Sequence, residues 1–66
     1  SFIDVPATLR TMRVADRWVV DPSFVNIGSL RNVCSKMKRE GLSFTVRVPG
    51  YSEPNITVIR NRVTNR

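Results

Sequence analysis

The sequence predicts a small α+β domain: a β-α-β-β unit whose single amphipathic helix covers one face of a three-stranded, mostly antiparallel sheet. Three observations carry this reading. Leu30, Val33, Cys34 and Met37 recur at i, i+3, i+4 and i+7, the apolar stripe of a surface helix. Leu42, Phe44, Val46 and Val48 alternate with Ser43, Thr45 and Arg47, the pattern of a half-buried strand. Arg17-Trp18-Val19-Val20 is a run of strand formers closed by Asp21-Pro22, where regular pairing stops.

Each element then follows in order. Residues 1–14 read as an irregular N-terminal segment, because Phe2, Ile3, Val5, Leu9, Met12 and Val14 share no clean period. Pro6, with Asp4 or Val5 before it, opens at most one helical turn over 7–12. In the first strand Trp18 and Val20 share a face. The helix is capped by Ser29, or by Asn26 if Ile27 and Gly28 belong to its first turn. Gly41 ends it in a left-handed C′ position, and Leu42 then touches Met37, as in a Schellman ending. Residues 49–55 form a hairpin loop by composition. Ile56–Arg60 is the last strand, with Ile56 and Val58 on one face and Thr57 and Ile59 on the other. Residues 61–66 read as a basic tail. The expected core is Trp18, Phe44, Val46, Val48, Val58 and the helix stripe.

The 66 residues allow one domain, 1–66. A domain this small buries only about 60% of its unfolded surface, so a homodimer is a natural supplement. Cys34 is the only cysteine, which excludes an internal disulfide and points to a reducing compartment. The longest apolar run is Trp18 to Val20, far short of the roughly 20 residues a spanning helix needs. Asp4 and Arg10 interrupt any leader-like stretch. A cytoplasmic chain that makes no membrane contact is therefore expected.

Catalytic chemistry is hard to assemble here. The chain has no histidine, which removes Ser-His and Cys-His nucleophile pairs and, with the lone cysteine, a zinc site. Its 5 carboxylates are scattered and its 3 glycines are dispersed, leaving neither an acid–base pair nor a phosphate-cradling loop. No enzyme, cofactor or metal is expected. Cys34 lies on the apolar stripe, where burial keeps a thiol inert.

Charge supplies the positive signal. Eleven Lys and Arg stand against 5 Asp and Glu, for a net charge of +6 and a pI near 11.2. Most of the cations are arginine, whose planar fork matches phosphate and stacks on bases. The expected partner is nucleic acid, DNA ahead of RNA. Arg31, Lys36, Lys38 and Arg39 lie off the helix's apolar stripe with Asn32 and Ser35 among them. They form a phosphate- and groove-contacting face. The same cations also suit a helix C-terminus, so a plain solvated face is the competing reading. Arg17, Thr45, Arg47, Thr57 and Ile59 share the sheet's open face. Single-strand platforms need exposed aromatics, and only Tyr51 is free for that role, so duplex binding ranks first.

The helix and the hairpin after it resemble the last half of a winged helix, in which the helix enters the major groove and the hairpin touches the backbone. That resemblance implies base or phosphate contacts for Asn32, Ser35, Lys36 and Arg39. It implies wing contacts for Arg47, Tyr51 and Arg60, with Arg62 beyond them. Residues 22–28 are too few for the helix that should precede the recognition helix. Val14-Ala15-Asp16-Arg17-Trp18, the helix through Met37-Lys38-Arg39, Phe44-Thr45-Val46-Arg47 and Val58-Ile59-Arg60 together resemble short orphan proteins of bacteriophage genomes. That group has glycine where this chain has Ala15. The resemblance implies a small regulatory or accessory protein. The competing function is a basic module that docks on an acidic patch of a host protein and inhibits it, anchored by Tyr51 or Phe2.

Overall fold

The computed structural model describes residues 3–63. Five elements follow one another: α1 (Val5–Thr11), β1 (Arg17–Val20), α2 (Ile27–Arg39), β2 (Ser43–Arg47) and β3 (Ile56–Asn61). The strands make one antiparallel sheet in the order β1-β3-β2. The expected β-α-β-β unit is present, and a helix precedes it. No helix is long and apolar enough to cross a membrane, among the described residues.

Helix α1 corrects the reading of residues 1–14 as irregular. Asp4 caps it, its Oδ1 accepting from the Ala7 N–H at 3.1 Å, and Pro6 stands in the first turn, where its missing donor costs nothing. Val5, Leu9 and Met12 lie at i, i+4 and i+7. They are a helical stripe that the neighbouring Phe2, Ile3 and Val14 obscure in sequence. Leu9 is fully buried and Met12 nearly so.

The loop from Arg13 to Asp16 turns the chain into β1. Asp16 N–H donates to the Arg13 carbonyl at 2.9 Å, and Arg13 N–H donates back to Asp16 Oδ2 at 2.9 Å. Ala15 takes φ 77°, the value a type II turn needs at its third position and one that favours glycine. The turn is therefore kept with alanine, at a cost in backbone strain.

Helix α2 is capped by Asn26 rather than Ser29. Asn26 Oδ1 accepts from the Ser29 N–H at 3.1 Å, so Ile27 and Gly28 belong to the first turn. Its C-terminal end is a Schellman motif, as expected. Gly41 has φ +88°, its N–H donates to the Lys38 carbonyl, and the Leu42 N–H donates to the Met37 carbonyl, both at 3.1 Å. Upstream, residues 21–26 hold a turn and no helix: Phe24 N–H donates to the Asp21 carbonyl and Ser23 N–H to Asp21 Oδ1. The Ser23 backbone N–H and hydroxyl hold the Asp21 carboxyl below its usual range.

The register sets two faces. Trp18 lies opposite Val58, Val20 opposite Ile56, Phe44 opposite Arg60 and Val46 opposite Val58. This is the helix side. The core is Leu9, Met12, Val20, Val25, Leu30, Met37, Ile56 and Val58, with Trp18, Val33, Cys34, Phe44 and Val46 half-buried against it. Trp18 and Phe44 are thus core-edge residues rather than core centres. Val48 leaves the expected core altogether and is 54% exposed. The strand ends at Arg47, just before Pro49, which has no N–H to continue a ladder. Asn61, expected in the tail, closes β3 opposite Ser43; residues 64–66 lie outside the described residues.

Backbone strain at two positions is open to measurement. Nothing lies within 4 Å of a Cβ built at Gly41 or at Gly50, and only Gly41 has the left-handed φ. Gly41→Ala should lose about 1 kcal/mol in urea unfolding, Gly50→Ala less than about 0.5, and Ala15→Gly should gain about 0.5–1. Equal effects at Gly41 and Gly50 would contradict the helix ending described here.

Candidate nucleic-acid interface

Six polar residues of α2 were expected to meet a ligand, and all six are exposed: Arg31, Asn32, Ser35, Lys36, Lys38 and Arg39. Helical geometry divides them into two flanks. Arg31, Ser35 and Lys38 fall at i, i+4 and i+7, and so do Asn32, Lys36 and Arg39; residues with these spacings stack on one side of a helix. The first flank faces β2, where Arg31, Ser35 and Lys38 border a groove with Ser43, Phe44 and Val46. The second flank forms the outward ridge.

These cations are not consumed internally. Among the described residues the one ion pair joins Arg10 of α1 to Glu40 at 3.2 Å. Glu40 is the single carboxylate beside the cationic end of α2, and Arg10 occupies it. An exposed pair of this kind contributes little to stability, but it removes the nearest competitor for the helix cations. Lys36, Lys38 and Arg39 stand in the last turn, where the helix dipole favours them. That accounts for three cations and leaves Arg31, at mid-helix, without a structural reason.

The hairpin residues separate. Arg62 is exposed and borders a hollow with Lys38, Gly41, Leu42, Ser43 and Val63; it joins the α2 cations. Because Gly41 reverses the chain, β2 runs back along α2. Arg47 and the 48–55 loop therefore sit at the far end, roughly 20 Å away for a helix of this length. Arg47 is exposed on the open face, as expected. It shares a shallow cleft of about 440 Å³ with Arg17, Thr57, Ile59 and the loop residue Glu53. The loop folds back over the sheet there, with Gly50 N–H donating to the Glu53 carbonyl at 2.7 Å. Glu53 makes this cleft a poorer anion site than α2. Tyr51 is fully exposed at the loop.

Arg60 is a correction. Its register partner is Phe44, which puts it on the helix side of the sheet and away from Arg47. Its Nη1 donates to the Met12 carbonyl at 3.0 Å, and its guanidinium lies 5.8 Å from the Phe44 ring centre, within cation–π range. Its Nε is buried with no partner. Arg60 ties β3 to the end of α1 and is not a wing contact.

Two further residues refine the picture. Phe24 is 61% exposed in the turn before α2, so Tyr51 is not alone among exposed aromatics. Neither ring lies on the sheet face, where single-strand platforms place theirs. Cys34 is half-buried in the groove wall, and desolvation raises its thiol pKa, which suppresses reactivity. Phe2, the other proposed anchor, lies outside the described residues.

Comparison with protein-family models, curated proteins and solved structures finds no match for this chain.

Two tests follow. Arg60→Met leaves the Met12 carbonyl without its charged donor and should cost about 1–3 kcal/mol in chemical unfolding, while Arg47→Met and Arg62→Met stay within about 0.5. A neutral Arg60→Met would remove its structural role. Folding raises the Cys34 pKa, so the unfolded chain loses that proton first. The site's contribution is intact below the ordinary thiol range and is lost as pH climbs through the raised value. Cys34→Ser should flatten stability against pH in that alkaline window.

Proposed function

We propose that this protein binds nucleic acid without catalysis, with duplex DNA as its ligand and the outward ridge of α2 as its principal contact. One observation carries the reading: Asn32, Lys36 and Arg39 stand in line on an exposed helix flank, with no internal partner among the described residues. Arg31 and Lys38 flank them. A convex helix bearing cations and a short amide fits a major groove, which admits one helix. Phosphate contacts would set its position, and Asn32 is the side chain of this set suited to a base edge.

The hairpin supports the same docking. Its loop carries the fully exposed Tyr51, which would serve as a backbone contact for a duplex reaching past the end of α2. Such docking would follow a helix-and-wing arrangement, with a turn over residues 21–26 where a preceding helix would stand. The turn leaves the N-terminal end of α2 less shielded, with Asn26 and Ser29 exposed there.

Fluorescence anisotropy on a labelled duplex, at several salt concentrations, tests the reading. With roughly four to six phosphates neutralised, log affinity should fall against log salt with a slope of about −4 to −5. Lys36→Glu with Arg39→Glu should weaken binding by more than about tenfold. A flat salt response, or affinity unmoved by this double change, would exclude the ridge as a nucleic-acid surface. Tighter binding to single strands than to duplex would move the ligand class.

A further inference from the structure

Strand β2 stands at the edge of the sheet, so its outer row of backbone donors and acceptors has no strand partner among the described residues. Edge strands are usually blunted by proline, by a central charge or by covering structure. Ser43–Arg47 has no proline, and its one charge is at its end. Helix α2 runs beside this edge without closing it. Between them lie two adjoining hollows of about 340 and 330 Å³ that share Lys38 and Ser43. They form one trench. Phe44 and Val46 point to the helix side and Ser43 to the other, yet all three border it, which places it along the strand's rim.

The chemistry of this trench is one-sided. Its apolar lining comes from Cys34, Leu42, Phe44, Val46 and Val63, and its cations are Arg31, Lys38 and Arg62. No carboxylate borders either hollow.

We propose that the trench receives an extended acidic segment of another protein, which pairs with β2 as a fourth strand. Strand addition takes its affinity from main-chain hydrogen bonds and its specificity from alternate side chains. A guest strand here puts every second side chain on the helix side, over Phe44 and Val46 and below Arg31 and Lys38. The intervening side chains fall on the open face beside Thr45 and Arg47. A sequence alternating acidic and apolar residues sends all its carboxylates to one face; on the helix side they meet Arg31 and Lys38, and the apolar residues then lie beside Thr45 and the stem of Arg47. A second copy of this chain fits poorly, since pairing β2 with β2 would bring like-charged Arg47, Arg31 and Lys38 toward their counterparts. A duplex is too wide for a trench one strand across. This site is separate from the duplex-binding ridge, since it uses the other flank of α2.

The test uses the whole protein and a labelled ten-residue peptide alternating glutamate and valine. A second peptide of equal charge has its prolines in adjacent pairs, so that in either register a missing N–H faces β2 and the ladder is broken. Two double variants, Arg31→Glu with Lys38→Glu and Lys36→Glu with Arg39→Glu, remove the same amount of charge from opposite flanks. The proposal expects the first peptide to bind at least tenfold tighter than its proline counterpart. It expects slowed amide exchange in Ser43–Arg47, and loss of tenfold or more in the Arg31/Lys38 variant against less than threefold in the Lys36/Arg39 variant. Circular dichroism confirms that both variants fold. Equal binding of the two peptides, or equal loss in the two variants, reduces the effect to net charge and overturns the proposal. So does a doubled mass with β2 already protected in the absence of peptide. Duplex affinity of the same variants is read separately, so failure of the trench leaves the ridge standing, and the reverse.

Discussion

The fold rests on β3, the strand that is last in sequence and central in space. It is hydrogen-bonded on both sides, and Ile56 and Val58 are fully buried at its middle. Neither β1 nor β2 touches the other without it. The two pairings differ in entropic cost. The β2–β3 hairpin closes a loop of eight residues, 48–55, while β1 meets β3 across about forty residues of chain. Loop-closure entropy grows with length, so the hairpin with α2 above it is the cheaper unit and β1 with α1 completes it. Closing the core from only one side leaves much of the opposite sheet face, both sheet edges and the crest of α2 in solvent, although Thr57 on that face is buried. The surfaces proposed for binding are what this economy leaves uncovered.

Arginine shows how position decides the use of one residue type. Arg10 is tied to Glu40 across the helices. Arg60, facing inward by strand parity, covers the core edge with its stem and spends its guanidinium on a carbonyl and a ring. A small core has too few large apolar side chains to seal its own rim, and a long amphipathic one serves instead. The arginines on α2 and at the end of β3 have no such employment. Net charge alone therefore overstates the binding surface, since part of it stabilises the fold.

Much of this was legible in the sequence, and the failures have physical causes. The end of α2 was readable because Gly41 and Leu42 give two independent signals for one geometry. Its start was ambiguous because Asn26 and Ser29 are both good caps, and the choice depends on whether Gly28 can join a helix. Helix α1 was hidden because a seven-residue helix shows its period only three times, among unrelated apolar neighbours. The inward turn of Arg60 was readable in principle: it has the parity of Ile56 and Val58, and its charge drew attention away from that. Ala15 keeps a turn that glycine would make without strain, which composition alone does not reveal. The strand order could not be read, because sequence order does not say which strand is central. Hence the open rim of β2 was invisible.

That rim gives α2 two surfaces of different shape. Its exposed polar residues follow spacings of i, i+4 and i+7 twice, one residue out of step, and each of the two lines on either side of the helix crest carries two cations. On the outer side no strand rises beside the helix, α1 packing near its C-terminal end through Arg10 and Glu40, and the line of charge is convex. On the inner side β2 rises as a wall, and the line becomes the lip of a trench. Charge alone attracts any polyanion to either line, but shape separates them, since a stiff, wide duplex needs the ridge and a narrow extended chain needs the trench. Arg31 and Lys38 are the helix cations on the trench side, with Ser35 between them and the crest. A ligand filling either surface would draw on the same local potential and, with Arg31 and Lys38 engaged, would weaken the other's hold. The two proposed surfaces on one helix of thirteen residues would be coupled through charge even where their contacts do not overlap, occupation of one disfavouring the other without any change in fold.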